Sequence, residues 1–243
     1  VQRLFSRIAP RYDWFNRLAS CGLDQRWRRE ALARGRVEPG VRVLDVCTGT
    51  GDLALLAAAR QRGEGVVIGV DMNHEMLVRA QRKQAARQLP VGWCRGDAEA
   101  LPFADARFDR VLIGFSTRNL SDLSRGLREM LRVLRPGGSL IILETGYPRH
   151  PLVRWGYQAF LFTGARAIGF LLTGRCWPFT YLARSVRAFL TPAQLVERLQ
   201  HLGTAVEYLA LFGGLASLYV ATKRPAETCA TSLKPSTLEL TCQ

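Results

Sequence analysis

Asp45, Gly49, Thr50, Gly51 and Asp52 fall together in DVCTGTGDLA, residues 45–54, where a short apolar run gives way to a glycine-rich turn and then to a helix-forming stretch. The spacing G-x-G-x-x-A lets a turn bring backbone N–H groups against the phosphates of a dinucleotide. Charge argues for a different ligand. Asp52 stands at the start of the helix, where a pyrophosphate would sit, and Asp45 lies just before the loop. Two carboxylates there repel a phosphate. They suit a ligand with an ammonium group and a sulfonium, whose carboxylate can use the loop N–H groups and the helix terminus. S-adenosylmethionine carries those groups. Asp71, followed by Met72, is placed to accept hydrogen bonds from ribose hydroxyls, and Asp97, followed by Ala98, to face an adenine amino group at the end of a third strand. The plain alternative for the glycines is a tight strand-to-helix turn with no ligand; three acids at three successive strand ends argue against it.

Those acids need a scaffold that brings strand ends together. VRVLDVC (41–47), GVVIGVD (65–71), VGWCRGD (91–97), FDRVLIGF (108–115) and GSLIILE (138–144) are short and rich in β-branched or apolar residues, as strands buried on both faces should be. Helical patterns lie between most of them. The clearest starts at Ser121 as N-cap, carries Leu123, Leu127, Met130, Leu131 and Leu134 on one face, and stops at Arg135-Pro136-Gly137-Gly138. Repeated βα units imply a doubly wound α/β fold with a mostly parallel sheet and its ligand site at the C-terminal strand ends. TAVEYLAL (204–211) and ASLYVATK (216–223) leave no room for a crossover helix and read as an antiparallel hairpin closing the sheet edge. From Pro225 the chain is polar and aperiodic, the pattern of a disordered tail.

Composition narrows the class. At 243 residues, 48% of them hydrophobic, the chain suits one α/β domain with additions. The formal charge is +14, and Lys occurs only at positions 83, 223 and 234, so the excess is arginine. Such an excess favours an anionic partner, either nucleic acid or acidic lipid, unless it reflects an Arg-rich proteome. Six scattered cysteines without a C-x-x-C pair suggest neither zinc nor a disulfide framework, and no metal is expected; a reducing, cytoplasmic setting fits. No signal-peptide pattern is present, and a start at Val1 without methionine leaves a missing N-terminal piece open.

Four stretches, DVCTGTGDLA, GDAEALPF (96–103), Arg118-Asn119 and REMLRVLRPGGSLIILE (128–144), closely resemble the ubiquinone/menaquinone biosynthesis C-methyltransferases. FSRIAPRYDWFNRLASCGLDQRWRR (5–29) resembles that family's own entry segment, and the likeness runs from about residue 3 to 222. It implies the seven-stranded methyltransferase sheet, S-adenosylmethionine as methyl donor and a polyprenyl quinol as acceptor. It places Thr50, Asp71, Asp97, Ala98 and Gly114 against the donor, with Asp45, Gly49, Gly51 and Met72 in the same site. It also implies a division into a lid (1–30), a cofactor-binding core (31–146), an insertion (147–190), a closing helix and hairpin (191–224) and the tail. Two departures stand out. Asp24 occupies a position where the family often has His, and Glu144-Thr145-Gly146 replaces the usual E-x-S near the presumed substrate mouth, which could signal altered preference.

Methylating a quinol ring carbon requires a phenolate, because only then is electron density pushed onto that carbon. A phenol ionises near pH about 10, and a fixed cation beside the oxygen lowers that. Arg118, following the fourth strand beside Asn119, is the favoured cation, stabilising the oxyanion or orienting a water. It stays protonated and is no conventional base. Its plain alternative is a surface pair with Asp122. Tyr12 and Asp13 on the entry segment would cover the site, with Asn16 fixing the lid; helix capping and packing would explain them equally. Phe115, Tyr181 and Ser185 are candidates for lining the substrate pocket.

A polyprenyl tail lives in a bilayer. Residues 147–190 are the most apolar and aromatic part of the chain, but Arg166 and Arg175 interrupt the run and leave 155–165 as its longest uncharged aromatic piece, short of the roughly 20 residues that span a membrane. With Arg154, Arg184 and Arg187 the segment is expected to lie at an anionic membrane surface, peripheral at the inner face, or to pack on the sheet or on a second subunit as a homodimer. Other readings stay open: a nicotinamide-dependent oxidoreductase, which Asp45 and Asp52 oppose, and a methyltransferase acting on another lipophile or on RNA. No Asn-Pro-Pro-Tyr motif or aromatic-basic face points to nucleic acid.

Overall fold

The computed structural model describes residues 12–146, 148, 150–164, 167–168, 170 and 184–225. Two helices open the described chain, α1 (Tyr12–Ala19) and α2 (Leu23–Arg34). Then come β1 (Arg42–Val46), α3 (Asp52–Gln61), β2 (Val66–Asp71), α4 (His74–Arg87), β3 (Gly92–Arg95) and β4 (Phe108–Gly114). A 3-10 turn at Thr117–Asn119 leads to α5 (Leu123–Val133), β5 (Leu134–Thr145) and α6 (Pro151–Phe162). The chain closes with α7 (Pro192–His201), β6 (Thr204–Leu211) and β7 (Ala216–Lys223).

The sheet order is β3-β2-β1-β4-β5-β7-β6, parallel from β3 to β5, with β7 antiparallel to both β5 and β6. This is the doubly wound arrangement expected from the sequence, with β7 of the hairpin inserted between β5 and β6. Strand residues divide by parity between two cores. Val43, Leu112, Ile141, Leu143 and Leu218 pack with Trp27, Ala31 and Leu32 of α2 and Leu53, Ala54 and Leu55 of α3. Leu44, Val46, Val111, Ile113, Leu140 and Ile142 pack with Leu127 and Met130 of α5 and Leu195 and Leu199 of α7. Burial on both faces is why β1, β4 and the second half of β5 are largely apolar, with interior exceptions such as Asp45, Asp109 and Arg110; each buried apolar side chain contributes about 1.5–3 kcal/mol.

Three local expectations need correcting. Asp122, not Ser121, caps α5, its carboxylate accepting from Arg125 N at 2.9 Å. The Ser121 and Asp122 N–H groups instead donate to Glu99 Oε1 at 2.7 and 2.9 Å, which sets the helix start one residue later. The helix also ends earlier, at Val133, because Leu134 pairs with Phe108 and opens β5 ahead of a register shift. The third strand stops at Arg95, so Asp97 sits in the following turn, where its own carboxylate accepts from Glu99 N at 2.9 Å.

α1 and α6 meet outside the two main cores, where Phe15 is buried against Ala19, Phe160 and Ile168. The entry helix and the insertion therefore share a small apolar cluster.

Candidate active site

The loop after β1 is shaped from beneath. Gly49 and Gly51 adopt φ of 57° and 79°, values that L side chains rarely take. Asp45, buried, accepts from Thr48 Oγ1 at 2.5 Å and from Ala54 N at 3.1 Å, tying the loop to the first turn of α3. Burial pushes its carboxyl up to about 7, against these hydrogen bonds and the charge of Arg28. Asp71 holds the loop from the side, one oxygen accepting from Gly49 N and the other from Asn73 N, both at 2.8 Å. Burial raises the Asp71 carboxyl despite those bonds. The Met72 N–H also acts on this carboxylate, and the acceptor capacity that remains is available to a ligand hydroxyl.

Gly51 serves packing. A Cβ there would stand 2.5 Å from the Trp93 ring and 2.9 Å from Ala80 Cβ. A Cβ on Gly49 would meet nothing within 4 Å, since that position opens on a cavity.

That cavity, about 610 Å³, lies along the C-terminal ends of the parallel strands. Among its walls are Gly49, Thr50, Asp71, Met72, Asp97, Ala98, Gly114 and Asn119, so seven of the nine residues assigned to the donor surround one space together with Asn119, while Arg118 does not line it. Asp45 and Gly51 stand behind the wall as supports, not in it. Asp52 lines the cavity, but its charge is not the free one expected from the sequence. Lys83 of α4 pairs with it, and although burial alone would raise the Asp52 carboxyl, Lys83 and Arg28 hold it below the usual range. Lys83 Nζ also contacts Asp13 at 2.9 Å and Thr50 Oγ1 at 3.2 Å, and Thr50 Oγ1 donates to Asp13 at 2.5 Å. The entry helix is fastened to the glycine loop by this cluster. Tyr12 and Asn16 lie on the same helix.

Past β4, Phe115 takes a φ of 57° and its ring packs 6.3 Å from Trp27, forming a shelf 5.2 Å beneath the Arg28 guanidinium. Arg118 pairs with Glu144 rather than with Asp122, the partner weighed from the sequence. Glu144, 1% exposed, also accepts from Thr117 Oγ1 at 2.5 Å and Thr145 N at 2.8 Å. Arg118 Nε is buried with no hydrogen-bond partner among the described residues. Tyr157 of α6 faces this pair; burial pushes its hydroxyl up to about 12, against the pull of Arg118. Gly146, where the resemblance leads one to expect Ser, has a backbone reason: a Cβ would collide with the Gly214 carbonyl, and Gly146 N donates to Leu215 O at 2.9 Å. Ser185 lies on a helical stretch at 184–188, and Tyr181 falls outside the described residues.

The sequence alone assigns no site role to Arg28, Lys83, Glu144 or Tyr157. Lys83 left a trace as one of three lysines in an arginine-rich chain; Arg28 is one arginine among many in the entry segment and left none. No three His, Cys, Asp or Glu residues are placed to hold a metal among the described residues.

The sheet order and the cleft at its switch point define the fold of the S-adenosylmethionine-dependent methyltransferases. Solved structures agree: a putative S-adenosylmethionine-dependent methyltransferase from Methanococcus maripaludis superposes with a TM-score of 0.64 at 16% identity, covering 92% of this chain and 95% of that one. Another from Aquifex aeolicus gives 0.61 at 18% identity, over 80% and 88%. Within that class, residues 1–223 match the ubiE/COQ5 methyltransferase family, and the chain belongs to it. It is thus a methyltransferase using S-adenosylmethionine. A demethylmenaquinone methyltransferase of Deinococcus radiodurans is 41% identical over 225 residues, 92% of both chains. One from Thermus thermophilus is 42% identical over 219 residues, 89% of this chain and 98% of that one. A ubiquinone/menaquinone biosynthesis C-methyltransferase of Geotalea daltonii is 37% identical over 226 residues, 92% and 96%. Family membership removes the nicotinamide-dependent alternative.

Proposed function

We propose that the protein methylates a ring carbon of a polyprenyl quinol, the demethylated naphthoquinol or its benzoquinol counterpart, at a membrane surface. The observation that carries the substrate class is family membership over residues 1–223 together with relatives named for this reaction. The donor supplies an electrophilic methyl on a sulfonium. Asp71 and Asp97 offer carboxylates to its ribose and adenine, and Met72, Ala98 and Gly114 give the apolar and close-packed walls. Arg118 and Asn119, on the turn after β4, are assigned to the acceptor oxygen; the Arg118 charge would lower the cost of the phenolate that pushes electrons onto the ring carbon. Asp13, bonded to Thr50, holds α1 against the glycine loop, and Tyr12 and Asn16 of the same helix are assigned to the lid that excludes water. Phe115, Tyr181 and Ser185 are assigned to the acceptor side.

No helix among the described residues is long and apolar enough to cross a membrane. Trp14 and Leu18 of α1 and Leu152, Val153 and Trp155 of α6 are exposed, with Arg17 and Arg154 beside them in sequence. Tryptophan and leucine beside arginine suit the headgroup boundary of an anionic bilayer, which supports the proposed peripheral location at the inner face. A second copy docking on the same apolar face is the competing use. The decisive experiment supplies purified protein with isotopically methyl-labelled S-adenosylmethionine and each demethylated quinol in anionic vesicles, and follows label in the extracted quinol by mass spectrometry. Label on neither quinol overturns the substrate assignment. Binding indifferent to lipid charge and accompanied by dimer formation overturns the membrane assignment.

A further inference from the structure

Arg28, whose charge acts on Asp45 and Asp52, makes no hydrogen bond of its own among the described residues. Its side chain is 8% exposed, it lines the cavity beside Thr48, Gly49 and Asp52, and its guanidinium stacks over Phe115 at 5.2 Å. The one carboxylate set close to it on its own helix is that of Asp24, 3.6 Å from Nε, a separation too long for a hydrogen bond. Nε is accordingly buried with no hydrogen-bond partner among the described residues. Asp24 is itself engaged, accepting from Ser20 Oγ at 3.1 Å and from Gln25 Nε2 at 3.0 Å. A buried guanidinium short of acceptors is costly unless an anion completes it.

Two of the glycine-loop donors are already engaged. Gly49 N is taken by Asp71 at 2.8 Å and Gly51 N by Thr48 O at 2.9 Å, and the helix that follows begins with the carboxylate of Asp52. A ligand carboxylate arriving at this end of the cavity meets two occupied N–H groups, a negative residue and one arginine. The opposite end presents the carboxylates of Asp71 and Asp97, which suit hydroxyl and amino groups.

We infer that Arg28, held in place by Asp24 and the Phe115 ring, receives the carboxylate of the methionine moiety of S-adenosylmethionine, while Asp52, balanced by Lys83, is left to face its ammonium group. The assignment rests on the methyl-donor reading of the cavity and names the residue that reads the donor's negative end. It also gives Asp24 a purpose as a positioning residue. Its carboxylate stops the long side chain from swinging out of the cavity, and the flat guanidinium matches a carboxylate as a lysine would not.

The test compares two ligands that differ only in that carboxylate: S-adenosylhomocysteine and its decarboxylated analogue, 5′-(3-aminopropyl)thioadenosine, titrated calorimetrically into wild type, Arg28→Ala and Arg28→Lys. Wild type is expected to prefer S-adenosylhomocysteine by about 10–100-fold, the range for hydrogen bonds between charged partners. In Arg28→Ala the preference should collapse to about 3-fold or less, and Arg28→Lys should recover part of it. Because the readout is a ratio, a general loss of folded protein cancels. An unchanged preference in Arg28→Ala overturns the assignment, including the case where both ligands weaken equally or where only turnover falls because the cation serves the quinol. Failure of wild type to bind S-adenosylhomocysteine would instead strike the methyl-donor reading itself.

Discussion

Lys83 Nζ stands 2.9 Å from the Asp13 carboxylate, so a helix that begins at residue 12 is fastened to one that begins at residue 74. The same ammonium pairs with Asp52 and lies 3.2 Å from Thr50 Oγ1. Lys83→Met should therefore do two things. It frees α1 from the glycine loop, and it leaves the buried Asp52 carboxylate without its principal counter-charge. We expect a stability loss of about 1–3 kcal/mol, a weaker donor complex, and faster tryptic cleavage at Arg17. Asp13→Asn should loosen α1 with a smaller stability loss, because Asp52 keeps its partner. Equal proteolysis of Lys83→Met and wild type would show that the latch does not hold the entry helix.

Asp71 accepts from Gly49 N and Asn73 N, and so shapes the loop as well as facing the cavity. Asp71→Ala leaves the backbone donors of Gly49, Met72 and Asn73 without this acceptor and removes the ribose acceptor. Donor affinity should fall by about 1–3 kcal/mol in calorimetry, with a measurable drop in melting temperature. Asp71→Asn keeps one acceptor oxygen and should recover part of the melting temperature.

The two loop glycines should separate fold from function. Gly51→Ala drives a Cβ into the Trp93 ring and Ala80 and should cost stability first. Gly49→Ala meets open space and should cost about 1 kcal/mol of stability from its positive φ, while its methyl group intrudes on the bound donor. Thermal melting beside S-adenosylhomocysteine titration distinguishes the two, and equal melting losses would refute the distinction.

Why the glycine loop was legible in the sequence and Lys83 was not is a matter of range. Asp45, the glycines and Asp52 lie within eight consecutive positions, and the strand that precedes them is announced by its apolar run, so a local pattern carries them. The parallel order and the β6–β7 hairpin followed from the same alternation of apolar strands with helical stripes. Lys83 meets Asp52 and Asp13 across 31 and 70 residues, and Arg118 meets Glu144 across 26; such pairs exist only once the sheet has formed. The third strand was read too long because Asp97 follows its apolar residues closely, yet its carboxylate closes a turn of its own. Gly146 was read as a sign of substrate preference, where the structure shows backbone packing against Gly214.

Asp45 gives a pH signature. Its carboxyl is raised from 3.8 to about 7, chiefly by burial, so between those values the folded state binds a proton that the unfolded state has released. Stability from this group is fully present below about pH 4 and is lost as pH rises through 7. Asp45→Asn keeps an oxygen that accepts from Thr48 and Ala54 and removes the titration. Denaturant unfolding stepped from pH 5 to pH 8 should show wild type losing stability relative to Asp45→Asn across that interval. A constant difference would place the Asp45 carboxyl back in its ordinary range.

Arg118 and Glu144 form a buried pair, with side chains 7% and 1% exposed, and this changes what an alanine substitution can report. Arg118→Ala strands Glu144 as a buried charge, so about 3–5 kcal/mol of stability should go with it. Catalysis must be separated from that loss. Glu144→Gln leaves the guanidinium and an acceptor for Thr117 in place, and Arg118→Lys keeps charge without the planar fork. If Arg118 stabilises the phenolate, its interaction is stronger in the transition state than in the bound quinol. Arg118→Lys should then lower kcat about 10-fold or more while leaving S-adenosylmethionine affinity nearly intact. Glu144→Gln, which removes the competing anion, should retain most of the turnover and shift the ascending limb of its pH profile to lower pH, because an uncompensated guanidinium lowers the phenol further. Losing the cation shifts that limb the opposite way, toward the free phenol, so Arg118→Ala/Glu144→Gln, which strands no buried carboxylate, should regain activity as pH rises. Single-turnover methyl transfer by folded Arg118→Lys at the wild-type rate, with the wild-type pH profile in both variants, would remove Arg118 from the chemistry and leave its pair with Glu144 as support for the turn after β4.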